Sequence, residues 1–356
     1  VNQVCNMFGT LKRKVLIWSA TFSLLALVSS CDEAPLPTTE ISGQTQGTTY
    51  TVIVVGEEVE VNKSEIDRLL RDFDLSLSTY IDESVISKLN QSIEPMRLID
   101  KSGYFKTCYE ESQDVFQRTK GLFDPSVYPL VKGWGFMNNM ETPLVQDEID
   151  SLLQFIGFEP GKLHTISFSD SDISMVKSET NFKIDFNAIA QGLSVDVLFD
   201  FIRAKGYDNF FVEIGGELRV SGRNKYNTSW NIAVDRPIAN LEARQLDTII
   251  HISNKAIATS GNYRKFYVKD GVKYSHTLNP KTGVPVRHRL LSATVIAEKC
   301  STADAYATAF MVMGVDATQQ FIKENEDLNL DAYLIYTDAR GNLKHTMSSG
   351  FPRYLQ

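Results

Sequence analysis

Cysteine is scarce, with four in 356 residues and no C-x-x-C pair among them. A disulfide framework and a thiolate zinc ribbon are therefore both excluded. Histidine is nearly as rare: His164, His251, His276, His288 and His345 show no metal-ligand spacing. Cations are outnumbered, 36 Lys and Arg against 44 Asp and Glu, for a net charge of −8. Without a basic stripe to neutralise phosphates, nucleic acid is not a partner class. No Pro/Gly/Ser-rich linker and no repeat of fixed period divides the chain. The expectation is a single catalytic unit with two lobes.

The N-terminus carries a topological signal. Lys12, Arg13 and Lys14 precede a mostly apolar run from Val15 to Val28, then Ser29, Ser30 and Cys31. A membrane helix needs about 20 apolar residues, so this shorter run suits the core of a signal peptide. Val28-Ser29-Ser30-Cys31 resembles a bacterial lipobox, in which the cysteine is lipidated and becomes the mature N-terminus. A plain secretory signal and an uncleaved anchor are the alternatives. Met7 stands where such a signal would start. The reading divides the chain into a signal peptide (1–30), a polar tether (31–45) and one domain (46–356), anchored in a bacterial envelope and facing the periplasm or exterior. Loss of residues 1–30 removes three cations and no acid, leaving a mature charge of about −11. Cys108 and Cys300 are expected to be buried small hydrophobes.

Periodicity places strands at Thr48–Val55, His164–Phe168, Ile173–Lys177, Phe182–Phe186, Phe210–Ile214, Glu217–Ser221, Trp230–Val234, Thr248–Ile252, Lys265–Lys269, Val272–Thr277 and Ala332–Tyr336. Gly215-Gly216 and Asp270-Gly271 read as hairpin turns. Helices are expected from Ser64, with Ser64 and Asp67 as a capping box, and over 104–120, 147–156, 187–205 and 301–313. Residues 123–136, rich in Pro, Gly and aromatics, read as a loop. Strands and helices do not alternate strictly. The fold class is α+β, with mixed or antiparallel sheets and flanking helices.

Four segments are able to carry chemistry. In Ser301-Thr302-Ala303-Asp304-Ala305-Tyr306-Ala307-Thr308, the Asp304 and Thr308 oxygens project from one helix face. A carboxylate and a hydroxyl suit Mg²⁺ and are poor ligands for zinc. Equally, Ser301 and Asp304 fit a capping box, and Thr308 can bond its own helix. Lys183-Ile184-Asp185-Phe186-Asn187-Ala188-Ile189-Ala190-Gln191-Gly192 runs from an apolar stretch into a helix start. Free N–H groups there can face an anion, or Asp185 or Asn187 simply caps the helix. His276 follows a strand and precedes the Asn279-Pro280 turn, where an imidazole can exchange protons near neutral pH. Trp134, Gly135 and Phe136 close an aromatic, glycine-rich stretch that either stacks on a flat ring or plugs the core.

Together and in order, these segments resemble the ApbE family of FAD:protein FMN transferases. The resemblance runs through Gly47-Thr48-Thr49-Tyr50, Ser78-Thr79-Tyr80, Phe123-Asp124-Pro125 to Phe136, and Ile184-Asp185 to Gly192. It continues through Glu213-Ile214-Gly215-Gly216-Glu217, Ala258-Thr259-Ser260-Gly261-Asn262-Tyr263, Tyr274-Ser275-His276 to Pro280, and Ala303-Asp304 to Thr308. By that resemblance Asp304, Thr308 and the Ala188 carbonyl hold Mg²⁺. FAD is expected at Gln46, Tyr80, Trp134, Gly135, Phe136, Asp185, Gln191 and Leu278, with His276 as the proton-transfer residue. Family members are typically envelope lipoproteins. Their acceptors are flavoprotein subunits carrying a Ser/Thr-containing motif. Two positions depart from the commonest pattern: Gln191 where many members have Lys, and Gln46 where many have Met.

The implied reaction transfers the FMN half of FAD to a threonine or serine hydroxyl of an acceptor and releases AMP. Two rivals share most of these residues. One is a FAD pyrophosphatase, with water in place of the acceptor. The other is a flavin-binding lipoprotein without catalysis.

Overall fold

The first described element is a β-hairpin. β1 (Thr38–Thr45) and β2 (Thr48–Val55) pair antiparallel across Gln46 and Gly47, whose φ values of 52° and 72° match a tight primed turn. The computed structural model describes residues 34–136, 143–238, 245–263 and 266–355. Cys31 and the signal region lie outside these, as do Lys265 and residues 137–142 and 239–244. Residues 38–45, read from sequence as the end of the tether, are instead a strand at the edge of the main sheet. Ile41 is the one large apolar residue among them, so no apolar alternation marked the strand.

Helix α1 (Lys63–Leu77) starts earlier than expected, because Asn62 caps it and the Glu65 carboxylate accepts the Asn62 N–H at 3.2 Å. Asp67 is drawn elsewhere, accepting from Tyr50 Oη at 2.6 Å and Lys63 Nζ at 2.8 Å, which pins α1 to β2. Helix α2 (Val85–Gln91), strand β3 (Met96–Ile99) and helix α3 (Tyr104–Arg118) follow. The supposed loop 123–136 contains a 3₁₀ turn over 125–127 and a short helix, α4 (Tyr128–Gly133). Pro125 and Pro129 fall in first turns, where a missing N–H costs nothing, and Asp124 caps the start by accepting the Ser126 N–H at 2.7 Å.

Helix α5 (Gln146–Leu153) precedes β4 (His164–Ser169) and β5 (Asp172–Lys177), which with β3 form a small antiparallel sheet in the order β3-β5-β4. The expected strand at 182–186 does not form. The Asn90 side chain takes over its pairing, donating to Ile184 O at 2.7 Å and accepting from Ile184 N at 2.8 Å. Helix α6 (Ala190–Ala204) begins after a turn at 187–189, later than the expected start.

The remaining elements are β6 (Phe210–Ile214), β7 (Glu217–Ser221), β8 (Trp230–Asp235), β9 (Leu246–Ile252), β10 (Ala256–Gly261), β11 (Phe266–Lys269), β12 (Val272–Ser275), β13 (Leu290–Ala297), α7 (Cys300–Met313), α8 (Val315–Glu324), β14 (Asp331–Thr337) and β15 (Leu343–Met347). The main sheet is antiparallel throughout, in the order β1-β2-β6-β7-β10-β13-β14-β15. The fold class is α+β, as expected.

Helices α6 and α7 lie on one face of this sheet, and the β8–β9 hairpin covers the other through Trp230, Val234, Ile250 and Ile252. The lobes share their core: Phe105, Phe158 and Phe182 cluster with Ala293, Ala303 and Tyr306. α7 is therefore buried on nearly every side, including Ala303, Ala305, Ala307 and Ala309. Small side chains let α6, β10 and β13 approach it closely.

Candidate active site

A helix buried all round should carry no uncompensated charge. α7 carries one. Asp304 is 6% exposed, and burial pushes its carboxyl up to about 7. Among the described residues its one hydrogen-bond donor is the Gly192 N–H, 3.0 Å from Oδ2. In an uninterrupted α-helix that N–H would serve the Ala188 carbonyl. Here Ala190 N bonds Phe186 O at 2.8 Å and Leu193 N bonds Ile189 O at 2.9 Å, but between them Gly192 N bonds Asp304 instead, so the Ala188 carbonyl is left without its usual helix donor.

Thr308, one turn beyond Asp304, holds its Oγ1 3.1 Å from Ser260 Oγ on β10. A carboxylate and a hydroxyl on α7 and an undercommitted carbonyl just before α6 are thus the oxygens on offer, with α7 tied to α6 through Gly192 and to β10 through Ser260. Among the described residues no group of three or more His, Cys, Asp or Glu is placed to hold a metal ion. The oxygen set fits a hard cation such as Mg²⁺, which keeps waters or phosphate oxygens as further ligands, and does not fit zinc.

Around this centre the structure gathers several of the residues expected to face a dinucleotide. Gln191 Nε2 donates to Ile214 O at 2.9 Å and to the Glu217 carboxylate. It lies so close to the β6–β7 turn that a Cβ on Gly215 would sit 2.1 Å from it. Gln46, in the β1–β2 turn, accepts from Ser194 Oγ at 3.3 Å. Beside it, burial raises the Asp74 carboxyl to about 6. Asp185 accepts the Asn187 N–H at 2.8 Å and its own N–H donates to Pro125 O at 2.7 Å, so it caps the turn into α6 and stitches it to the 124–136 segment. Burial raises its carboxyl as well. Tyr80, 76% exposed, lies near Tyr128, whose hydroxyl is raised by burial and then by Asp185 and Tyr80.

A second group forms at the other end of that segment. Trp134 is buried and donates Nε1–H to Gly283 O at 2.7 Å. Its ring lies 5.7 Å from Tyr274, which stacks on Tyr267 at 5.0 Å, and Phe136 lies 5.5 Å from Tyr267. Leu278 packs in the same cluster. Gly135, at φ 80°, turns the chain between the two aromatics. Here Trp134 plugs the core, while Phe136 is only half-buried. His276 follows β12 directly and is half-buried beside the buried Thr277 and Leu278. The 124–136 segment links the two groups.

Residues 46–334 match the model of the ApbE family. The chain belongs to the ApbE family. It is 33% identical over 346 residues to the FAD:protein FMN transferase of Vibrio cholerae, covering 95% of this chain and 98% of that one. It is 30% identical to the enzyme of the same name from Haemophilus influenzae, covering 87% and 89%. Among solved structures, the flavin transferase ApbE from Vibrio cholerae superposes with a TM-score of 0.76 at 32% identity, over 90% of this chain and all of that one. The apo flavinyl transferase ApbE of Pseudomonas stutzeri gives 0.77 at 27% identity, over 90% and 98%.

Sequence reasoning did not single out Ser260 as a partner of Thr308, Asp74 beside Gln46, or Asp196. For Asp196 a signal was present: it lies one helical turn beyond Gly192, where the marked segment ends, within the expected helix 187–205.

Proposed function

We propose that this protein transfers the FMN moiety of FAD to a threonine or serine hydroxyl of an acceptor flavoprotein, releasing AMP. One observation supports the reading: the Gly192 N–H is turned from Ala188 O to Asp304, one helical turn from Thr308, in a chain of the ApbE family.

The acceptor oxygen forms a bond to the FMN-side phosphorus as the bridging bond to the AMP phosphate breaks. Such transfers need positioning and charge neutralisation more than covalent chemistry by the enzyme. Asp304, Thr308 and the Ala188 carbonyl would hold Mg²⁺, which when bound neutralises pyrophosphate charge and stabilises the departing phosphate. Asp185, Gln191, Gln46 and Tyr80 line up FAD, with Trp134, Gly135, Phe136 and Leu278 at the aromatic end. Gln191 is neutral and already bonded to Ile214 O and Glu217, so it orients FAD without adding positive charge. His276 takes the acceptor hydroxyl proton.

Co-expression with candidate acceptors, followed by in-gel flavin fluorescence, tests the reading. A fluorescent acceptor band that needs both Mg²⁺ and FAD is expected. Rapid FMN release without acceptor, and no labelled band with it, would make the protein a FAD pyrophosphatase. Bound FAD surviving Mg²⁺ unchanged would make it a passive flavin binder.

The proposal includes an envelope location. It rests on the Lys12–Lys14 patch, the apolar run Val15–Val28 and the lipobox-like Val28-Ser29-Ser30-Cys31, with lipidated Cys31 as the anchor. Mass analysis of the mature N-terminus is expected to find acylated Cys31; a free amine further along the chain would refute it.

A further inference from the structure

The orphan N–H groups opening α7 are met by a side chain from another helix. Asp196 of α6 accepts the Cys300 N–H on Oδ1 and the Ser301 N–H on Oδ2, both at 2.9 Å. Lys299, the residue preceding α7, offers no side-chain cap. Asp196 is 5% exposed, and Arg219 Nη1 on β7 holds Oδ1 at 2.8 Å. The Arg219 guanidinium in turn lies 4.0 Å over the Phe199 ring.

The spacing matters more than the cap. Ala188, Gly192 and Asp196 recur every fourth residue along α6 and the turn before it. Cys300, Asp304 and Thr308 recur every fourth residue along α7. Two ties join the rows: Gly192 N–H to Asp304, and Asp196 to the Cys300 and Ser301 N–H groups. Two points fix rotation as well as distance, which one point cannot.

We propose that Asp196 is a positioning residue of the cation site, setting the register in which Asp304 and Thr308 face the Ala188 carbonyl. Stability alone explains it poorly. A serine or aspartate at 299 would cap α7 from within its own chain segment. Burying a carboxylate and its arginine partner is by contrast a costly way to stabilise a fold. What the inter-helix cap adds is a fixed placement of one helix on the other.

The inference rests on the cation-binding reading of Asp304 and Thr308, and its test separates the two. Mn²⁺ is titrated on ice against the metal-free, FAD-loaded full chain, with free ion read by EPR. Wild type is expected to bind Mn²⁺; if it does not, the cation reading fails and this proposal with it. Asp196→Asn, folded by circular dichroism, is expected to bind Mn²⁺ about tenfold more weakly while its FAD affinity without metal is unchanged. A purely structural role would lower the melting temperature and leave Mn²⁺ affinity of the folded protein intact, and that outcome overturns the proposal. Should Asp196→Asn not fold, Arg219→Met, which keeps the cap and frees the carboxylate, decides instead. A smaller loss of Mn²⁺ affinity supports the proposal and an unchanged affinity overturns it.

Discussion

The Gly192 N–H reaches Asp304 Oδ2 at 3.0 Å because nothing larger than hydrogen stands on that side of α6: a Cβ there would lie 2.4 Å from the Cys300 carbonyl oxygen and 2.8 Å from Asp304 Cβ. Two effects therefore oppose each other in Gly192→Ala. Helix propensity would favour alanine by up to about 1 kcal/mol. Overlap with a backbone carbonyl in a packed interior cannot be relieved by a rotamer change, and costs about 1–3 kcal/mol. The clash is expected to win. Urea denaturation should show a net loss of stability, and Mg²⁺-dependent transfer should collapse even in the folded fraction. A stabilised, active alanine variant would show that the helices are not this close.

Asp304 presents the usual conflict between function and stability. Its buried carboxylate has one hydrogen-bond donor among the described residues and is not cheap to bury. Asp304→Asn is expected to be as stable as wild type, or more so, in EDTA. Added Mg²⁺ with FAD should raise the melting temperature of wild type only, since stabilisation by a ligand follows its binding. Asp304→Ala should abolish metal-dependent transfer while FAD binding is at most weakened. Full flavinylation by that variant would remove Asp304 from the mechanism.

His276 is half-buried at the end of β12, beside the aromatic cluster and not on α7. A role confined to the proton predicts a slow enzyme with intact binding. His276→Ala is expected to lower the transfer rate by roughly 10²–10⁴-fold. Mg²⁺ and FAD affinities, measured by calorimetry, should stay close to wild type. An unchanged rate would reduce His276 to a structural residue.

Much of this arrangement was legible in the sequence. Strands β2, β6 and β7 appear at their expected bounds, because β-branched alternation and Gly215-Gly216 state period and turn unambiguously. That Asp304 and Thr308 share one face of α7 followed from spacing, while their reading as cation ligands came from the family resemblance. What stayed hidden was decided by tertiary partners. Ile184 looks like a strand residue, yet its backbone is satisfied by the Asn90 side chain, about ninety positions away in sequence. Ser64 and Asp67 have the form of a capping box, but Tyr50 and Lys63 claim the Asp67 carboxylate. Asp185 was expected at FAD or as a cap, and its geometry here is that of a cap. The diversion of Gly192 from Ala188 to Asp304 depends on how two helices meet, which no local pattern encodes.

His164 provides a pH-dependent prediction remote from the site. It is 1% exposed, stacked 4.4 Å from the Phe182 ring, with Nε2 3.0 Å from Tyr109 Oη. Burial lowers its pKa from 6.5 to about 4. As pH falls, the unfolded chain therefore binds this proton first, and stability is lost progressively between about 6.5 and 4. The loss reaches roughly 2 kcal/mol at pH 5. Asp124 works the other way: burial raises its carboxyl from 3.8 to about 6, so the folded state takes up that proton first and gains stability over nearly the same window. The total acid dependence is thus a difference of opposing effects. Comparing wild type with His164→Phe cancels Asp124 and isolates the imidazole. The variant should be less stable at pH 7.5 by about 1 kcal/mol, for the lost Tyr109 bond. At pH 5 it should recover by about 2 kcal/mol relative to wild type. Urea midpoints of the two proteins across this range are the measurement. A stability difference that does not change with pH would mean that His164 titrates as an exposed histidine does.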